Sequence, residues 1–384
     1  PITTCEITAP TITGTSNTPT VVGYATSSSG TTSAWTPGTA KSFGFASNNN
    51  IYFAITKKDG YALSATFDDN GASVLPKFGS CSIATVYNGN KQATTCTINN
   101  ISIVRDGYDI IGLNTNASAT TNTDKYESNT LTLDSSINGK TWYAITGKLI
   151  TVTFNKNNAL SQDGNTGASI TKTCTIYNKD IGCNVTSPAI VGSTNTPNVI
   201  GYNTSSSATT SSWNANTVKT VSANASYYAI TSSNTSTFTA TFNKNGAYSQ
   251  TDASGNASTN DTITRSCTTA VTYNGASPLK TCNVTSPKIV GNVTPIVIGY
   301  NTSSTATTKI LDQNTSVEIG SAVTYYAITK KDAVTFTATY KKGANVSTIG
   351  SASDSCTIAA TYNGDVQAKT CNVTLPSITP NAGY

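Results

Sequence analysis

Apolar and polar positions alternate with a period of two along most of this chain, and the helical period of about 3.6 residues is almost absent. In Leu63 to Phe67, Ile150 to Phe154, Phe238 to Phe242 and Phe336 to Tyr340, every second residue is apolar or small. Such runs predict strands with one buried face. Each leads into a turn, at Asp69-Asn70-Gly71, Lys156-Asn157-Asn158, Lys244-Asn245-Gly246 and Lys342-Gly343, whose residues accept the positive φ that hairpin and bulge turns require. A second strand pattern precedes each run: Tyr52-Phe53-Ala54-Ile55-Thr56, Trp142-Tyr143-Ala144-Ile145-Thr146, Tyr227-Tyr228-Ala229-Ile230-Thr231 and Tyr325-Tyr326-Ala327-Ile328-Thr329. Aromatic and β-branched residues suit a pleated, half-buried surface.

These landmarks recur in a fixed order at a shift of about ninety residues, the signature of a repeat array. After the turn come a cysteine, a Tyr-Asn segment (Tyr87-Asn88-Gly89, Tyr177-Asn178, Tyr273-Asn274-Gly275, Tyr362-Asn363-Gly364) and a second cysteine that opens another strand, as in Cys183-Asn184-Val185-Thr186. A Gly-aromatic strand follows, at Gly23-Tyr24, Gly201-Tyr202 and Gly299-Tyr300, then a polar loop that runs into Trp35 or Trp213. One copy departs from this, with Gly112-Leu113 and with Tyr126 near the tryptophan position. Period-two patterning predicts one small core per repeat, in which Tyr202 is buried with Tyr228 and Tyr300 with Tyr326.

The cysteines sort by position in the repeat into Cys81 with Cys96, Cys174 with Cys183, Cys267 with Cys282 and Cys356 with Cys371. Three pairs share a separation of 15 residues and the degenerate one closes at 9. Zinc sites favour CxxC spacing and histidine, so one disulfide per repeat, stapling a hairpin, is the expectation, and metal ligation is not. Cys5 aligns with the second cysteine of each pair. Its partner is expected upstream of Pro1 or in a neighbouring molecule, the alternative being a free terminal thiol. Cys371 to Tyr384 begins a further copy, so the sequence reads as a window on a longer array.

Composition narrows the function. Charged residues make up 11% of the chain, against roughly 25% in ordinary soluble proteins, and solubility rests on Ser, Thr and Asn. A net charge of +5 with no run of Lys or Arg lacks the footprint of a nucleic-acid partner. There is no membrane segment in this window, since no apolar run approaches about 18 residues. With no histidine and 18 acidic residues, the commonest general base and metal ligand are gone, leaving a Ser-Lys or carboxylate dyad as the sole route to hydrolysis. Lys57 and Lys58 return as Lys330 and Lys331, but Ser232 and Ser233 stand there in another copy, so the chain reads as a non-enzyme without a cofactor. The same irregularity argues against a Lys-Asn isopeptide bond as a general device.

In order and spacing the landmarks resemble the Listeria-Bacteroides repeat, or internalin B-repeat, a bacterial surface module. That family's Thr-Val-Thr-Phe strand, Asn-Gly turn, Thr-Tyr-Gly hairpin, Pro, Gly-aromatic strand and Leu-Tyr-Ala strand are similar to Thr239-Ala240-Thr241-Phe242, Asn245-Gly246, Thr272-Tyr273-Asn274-Gly275, Pro287, Gly299-Tyr300 and Tyr325-Tyr326-Ala327. The resemblance implies a mainly β fold, a tandem array of small β-grasp-like domains. In its register these are whole domains at 59–147, 148–232 and 233–331, with partial domains at 1–58 and 332–384. These units are longer than the family's, and the excess surrounds the cysteine pair. The resemblance implies a surface or adhesin stalk and carries over no catalytic residue.

Other candidate sites have structural readings beside them. Asp68-Asp69-Asn70-Gly71 could open a calcium loop, but its counterparts carry lysine and a solvated turn is the better reading. Trp35 and Trp213 could stack on sugar, yet a tryptophan recurring at one repeat position more often plugs a core. Asn184, Asn203, Asn283, Asn301 and Asn372 are recurring glycosylation sequons. The sequence thus predicts a secreted fibre or cell-surface stalk whose partners are neighbouring repeats or copies of itself. The rivals are an adhesin whose loops, such as Asn301 to Thr308, contact a surface glycan or protein, and a self-assembling filament subunit.

Overall fold

The structure, a computed structural model, describes residues 3–44 and 50–383; Pro1 and Tyr384, the last aromatic of the repeat pattern, lie outside them. The described chain is all-β, without a helix. It divides into two compact units, Pro1–Phe154 with Ile170–Ser187 and Asn216–Ser226, and Asn155–Ser169 with Pro188–Ala215 and Tyr227–Tyr384.

In the second unit, the alternating strand Thr237–Asn243 sits between two partners. It pairs antiparallel with Thr262–Thr268 and parallel with Val323–Lys331, which holds Ile296–Asn301 on its far side. A second sheet pairs Cys282–Thr285 with Ser316–Ile319. Between the two sheets lies a core of Ala240, Phe242, Val284, Ile289, Tyr300, Leu311, Ile319, Tyr325 and Ala327. The Phe242 ring meets Tyr300 edge-on at 5.1 Å and stacks on Tyr325 at 5.4 Å.

The first unit repeats this plan. Tyr61–Asp68 pairs antiparallel with Phe78–Ile83 and parallel with Thr141–Asn155, which also pairs antiparallel with Asp109–Asn114. Thr95–Ile98 and Thr130–Asp134 form the second sheet. Leu63, Phe67, Val74, Leu113, Leu131, Leu133 and Trp142 fill the core between them.

The Gly-aromatic pair is a β-bulge. Gly299 has φ 142°, and the register opposite Val323–Lys331 shifts between Val297 and Gly299. A Cβ at Gly299 would stand 2.5 Å from the Leu311 carbonyl oxygen, to which Tyr300 N–H donates at 2.7 Å. The bulge turns Tyr300 inward, opposite Ala327. This corrects the expected aromatic pairing. Tyr326 faces Asn301 across the ladder and Tyr228 faces Asn203, so both are only half-buried, and Tyr325 and Tyr227, one residue earlier, are the core rings. A shift of one residue moves a strand side chain to the opposite face.

The disulfides join Cys81 to Cys96, Cys174 to Cys183, Cys267 to Cys282 and Cys356 to Cys371. The expectation that each staples the two strands of one hairpin is corrected. Cys267 lies opposite Phe238 in the first sheet and Cys282 opposite Ile319 in the second, with their Cα atoms 5.9 Å apart. Cys81 and Cys96 likewise belong to different sheets, opposite Leu63 and Leu133. Three of the bonds therefore clip sheet to sheet, Cys371 lying outside any strand, and all four close the Tyr-Asn segment into a ring. Cys5, on the strand Thr4–Thr8 opposite Phe43, is exposed and free among the described residues.

Candidate functional site: an asparagine clamp between repeats

The Tyr-Asn segment leaves its own repeat to meet the end of the preceding Ala-Ile-Thr strand. Asn88, Asn178, Asn274 and Asn363 adopt φ of 55°, 49°, 54° and 54°, a left-handed conformation that asparagine tolerates better than most residues. That turn aims each main-chain N–H at a threonine carbonyl: Asn88 at Thr56 (2.9 Å), Asn178 at Thr146 (3.0 Å), Asn274 at Thr231 (2.9 Å) and Asn363 at Thr329 (2.9 Å). Thr146 and Thr231 N–H donate back to Asn178 Oδ1 and Asn274 Oδ1, each at 3.2 Å.

The same side chains then grip the polar loop of the preceding repeat. Asn178 Nδ2 donates to the Ala117 and Ala119 carbonyls at 3.0 and 2.9 Å, and Asn274 Nδ2 to Ser206 and Ala208 at 2.9 and 3.1 Å. Asn363 Nδ2 reaches Ser304 and Ala306 at 3.1 and 3.2 Å, while Asn88 Nδ2 reaches Ser28 at 3.2 Å. A second asparagine holds the loop from the other side. Asn70, Asn157 and Asn245, from the first turn of the loop's own repeat, donate to Ala117, Ser206 and Ser304 at 2.8, 2.9 and 2.9 Å. They also donate to the strand carbonyls of Ala144, Ala229 and Ala327. One carbonyl oxygen per loop thus accepts from two asparagines belonging to successive repeats.

A buried threonine pair lies behind the clamp. Thr18 and Thr56, Thr196 and Thr231, and Thr294 and Thr329 share hydroxyl hydrogen bonds of 2.7, 2.8 and 2.5 Å. Thr18, Thr196 and Thr294 also accept the N–H of Gly89, Gly275 and Gly364 at 2.9, 3.0 and 3.0 Å. At the remaining junction Arg105 takes the threonine's place, donating to Thr146 Oγ1 at 2.9 Å and to the Asn178 carbonyl, with its guanidinium 3.4 Å from the Tyr108 ring centroid. There Lys179 stands where the other copies have glycine.

The two turns touch. A Cβ on Gly246, which has φ 82°, would fall 2.1 Å from the Asn363 carbonyl oxygen. Gly246→Ala is therefore expected to pry this junction apart at a cost of about 1–3 kcal/mol. Gly343→Ala, in open space, is its neutral control. Hydrogen exchange at the Asn363 amide checks this, and equal protection in both variants would contradict it.

The other candidate residues have structural partners. Asp69 accepts from Val74 N–H at 2.8 Å and pairs with Lys77; the Lys77 hydrogen bond, more than the backbone one, holds its carboxyl below the usual range. No metal-ligating cluster of three occurs among the described residues. Trp35 and Trp213 are buried, and Trp35 Nε1 donates to the Thr39 carbonyl at 3.1 Å, so neither ring offers a face to sugar. Asn203 and Asn301 spend their amides on Thr210 and Thr308 within the loop, whereas Asn184, Asn283 and Asn372 are exposed.

Sequence reasoning places Asn70, Asn157 and Asn245 in turns and Asn88, Asn178, Asn274 and Asn363 in a segment between two cysteines, and misses that both sets hold one loop. The available signal is that Asn persists where the following glycine does not, in Asn157-Asn158 and Asn178-Lys179. A turn alone would tolerate other residues there. Neither a scan against known protein families nor a search of curated proteins finds a match for this chain.

Proposed function

We propose that the chain is part of an extracellular structural fibre or cell-surface stalk, a load-bearing array of disulfide-clipped β repeats. The observation that carries this reading is the clamp. At each of the four junctions in the described residues, the Tyr-Asn segment of one repeat is bonded to the last strand of the repeat before it. In three of the four, the disulfide ring carrying that segment spans 15 residues. Four disulfides suit an oxidising compartment. No helix among the described residues is long and apolar enough to cross a membrane. Two sheets, with the first and last long strands of a repeat paired in parallel, support a β-grasp-like reading of each domain, though no helix packs on them.

The adhesin reading fares worse, because the loop Asn301 to Thr308 is braced internally and gripped at Ser304 from both sides. Antibody labelling of the native source decides between locations. Signal along filaments or surface stalks is the expected result, and signal confined to the cell interior would end the proposal.

Mechanical extension gives an independent expectation. A disulfide ring of 15 residues hides its chain from the pulling force, so reduction should add about 50 Å of contour length to such a repeat. Single-molecule pulling with and without reductant measures it. Identical increments in both conditions would contradict the ring assignment.

A further inference from the structure

We infer that Asn274 and Asn363 are latent deamidation sites which the clamp protects, so that a junction once opened is chemically prevented from closing. The inference rests on the clamp geometry and does not require that the chain be a fibre.

Asn-Gly is the dipeptide in which the next residue's peptide nitrogen most easily attacks the asparagine side chain, because glycine puts no Cβ in the way. The nitrogen of Gly275 would form a bond to Asn274 Cγ, the Cγ–Nδ2 bond would break, and ammonia would leave with the proton that the peptide nitrogen gives up. Water would then open the succinimide to aspartate or isoaspartate. Only solvent is consumed.

In the closed junction both reacting groups are held. The Gly275 N–H is donated to Thr196 Oγ1 at 3.0 Å. The Asn274 carboxamide is fixed at three points, by the Ser206 and Ala208 carbonyls and by Thr231 N–H. It cannot swing onto its own main chain without breaking them. At Asn363-Gly364 the amide donates to the Ser304 and Ala306 carbonyls and the glycine N–H to Thr294 Oγ1, while Asn363 Oδ1 accepts no hydrogen bond among the described residues. Asn88 is held less firmly, its amide by one loop carbonyl at 3.2 Å and its Oδ1 by Thr56 N–H at 3.4 Å, and it is exposed, although Gly89 N–H is donated to Thr18. Asn178, which is followed by Lys179, has no such liability.

The product cannot rebuild the clamp. A carboxylate oxygen in place of Nδ2 would present an acceptor to the two carbonyls that the amide served, and isoaspartate would add a methylene to a turn whose φ is 54° at Asn274. Opening would thus be recorded irreversibly, repeat by repeat.

The test incubates the disulfide-intact protein at mildly alkaline pH beside reduced, alkylated, denatured chain, and maps the mass increase from NH2 to OH by peptide. Deamidation at Asn274 and Asn363 in the folded protein is expected to be about 30-fold slower than in the denatured chain, the factor two ordinary hydrogen bonds give. Asn88 should deamidate faster than these two sites in the folded protein and more slowly than in the denatured chain. Thr196→Val should accelerate Asn274 several-fold and leave Asn363 unchanged. Asn274→Asp, or Asn363→Asp should the first not fold, should abolish exchange protection at its own junction. Equal rates in folded and denatured chains would overturn the protection. Wild-type exchange at the Thr231 amide in the Asn274 variant, or at the Gly364 amide in the Asn363 variant, would overturn the lock.

Discussion

Replacing Tyr300 by leucine is expected to destabilise the protein by about 3 kcal/mol, and adding Gln250→Val to recover much of that loss. Gln250 is fully buried, and its Nε2 donates to Tyr300 Oη at 3.2 Å, which in turn donates to the Pro287 carbonyl. Leucine would leave a buried amide N–H without a partner and a cavity beside it. The rescue is already written elsewhere in the chain. In the repeat of Tyr61–Asp68, the positions of Gln250 and Tyr300 are held by Val74 and Leu113, both fully buried in one apolar core. Valine would also remove Gln250 Oε1, which accepts no hydrogen bond among the described residues. Denaturant unfolding of the two single variants and the double variant measures the coupling, and additive losses would refute it.

The same tyrosine gives a pH dependence. Burial, only partly opposed by the Arg265 charge and the Gln250 hydrogen bond, pushes the Tyr300 hydroxyl far above its ordinary value, and burial does the same to Tyr202. Below pH about 10 both folded and unfolded chains keep these protons and the stabilisation is complete. Above it the unfolded chain loses them first, so stability falls as pH rises towards the folded values. Tyr300→Leu should flatten that alkaline limb.

Removing the Cys267–Cys282 bond by paired alanine substitution is expected to cost about 3 kcal/mol, the chain-entropy value for a ring of 15 residues. The loss should be uneven in space. Phe242 and Ala240 are fully buried in the core, but Asn274 and Gly275 lie in the ring and are placed by hydrogen bonds to the preceding repeat. Exchange protection should therefore vanish at the Asn274 and Gly275 amides at denaturant concentrations where Phe242 remains protected. Simultaneous loss at both places would contradict the idea that the bond chiefly serves the clamp.

How much of this was legible follows from what period and recurrence can report. The all-β character is visible in the alternation at Leu63 to Phe67 and Phe238 to Phe242, because burial of one face imposes a period of two. The cysteine pairs keep step with the repeat and are visible for that reason. Which sheet each cysteine joins was not legible, since strand order is set by long-range pairing, such as Phe242 beside Tyr325, that leaves no local mark. The ring choice failed by one residue because the bulge at Gly299 resets the alternation, and Tyr325 and Tyr326 are chemically alike. The clamp escaped notice because an asparagine that merely fits a left-handed turn and one that also spans two repeats look the same in a sequence.

The carbonyl oxygens of Ser206 and Ser304, each accepting from two asparagines, give the repeats on either side of these junctions a shared loop. When one repeat melts, the loop next to it loses half of its support, so the melting of adjacent repeats is positively coupled. Arrays with nearest-neighbour terms of this kind behave as one-dimensional zippers. Unfolding should spread from whichever repeat opens first, and the cooperative length, more than the strength of any single repeat, should set how long the chain stays folded.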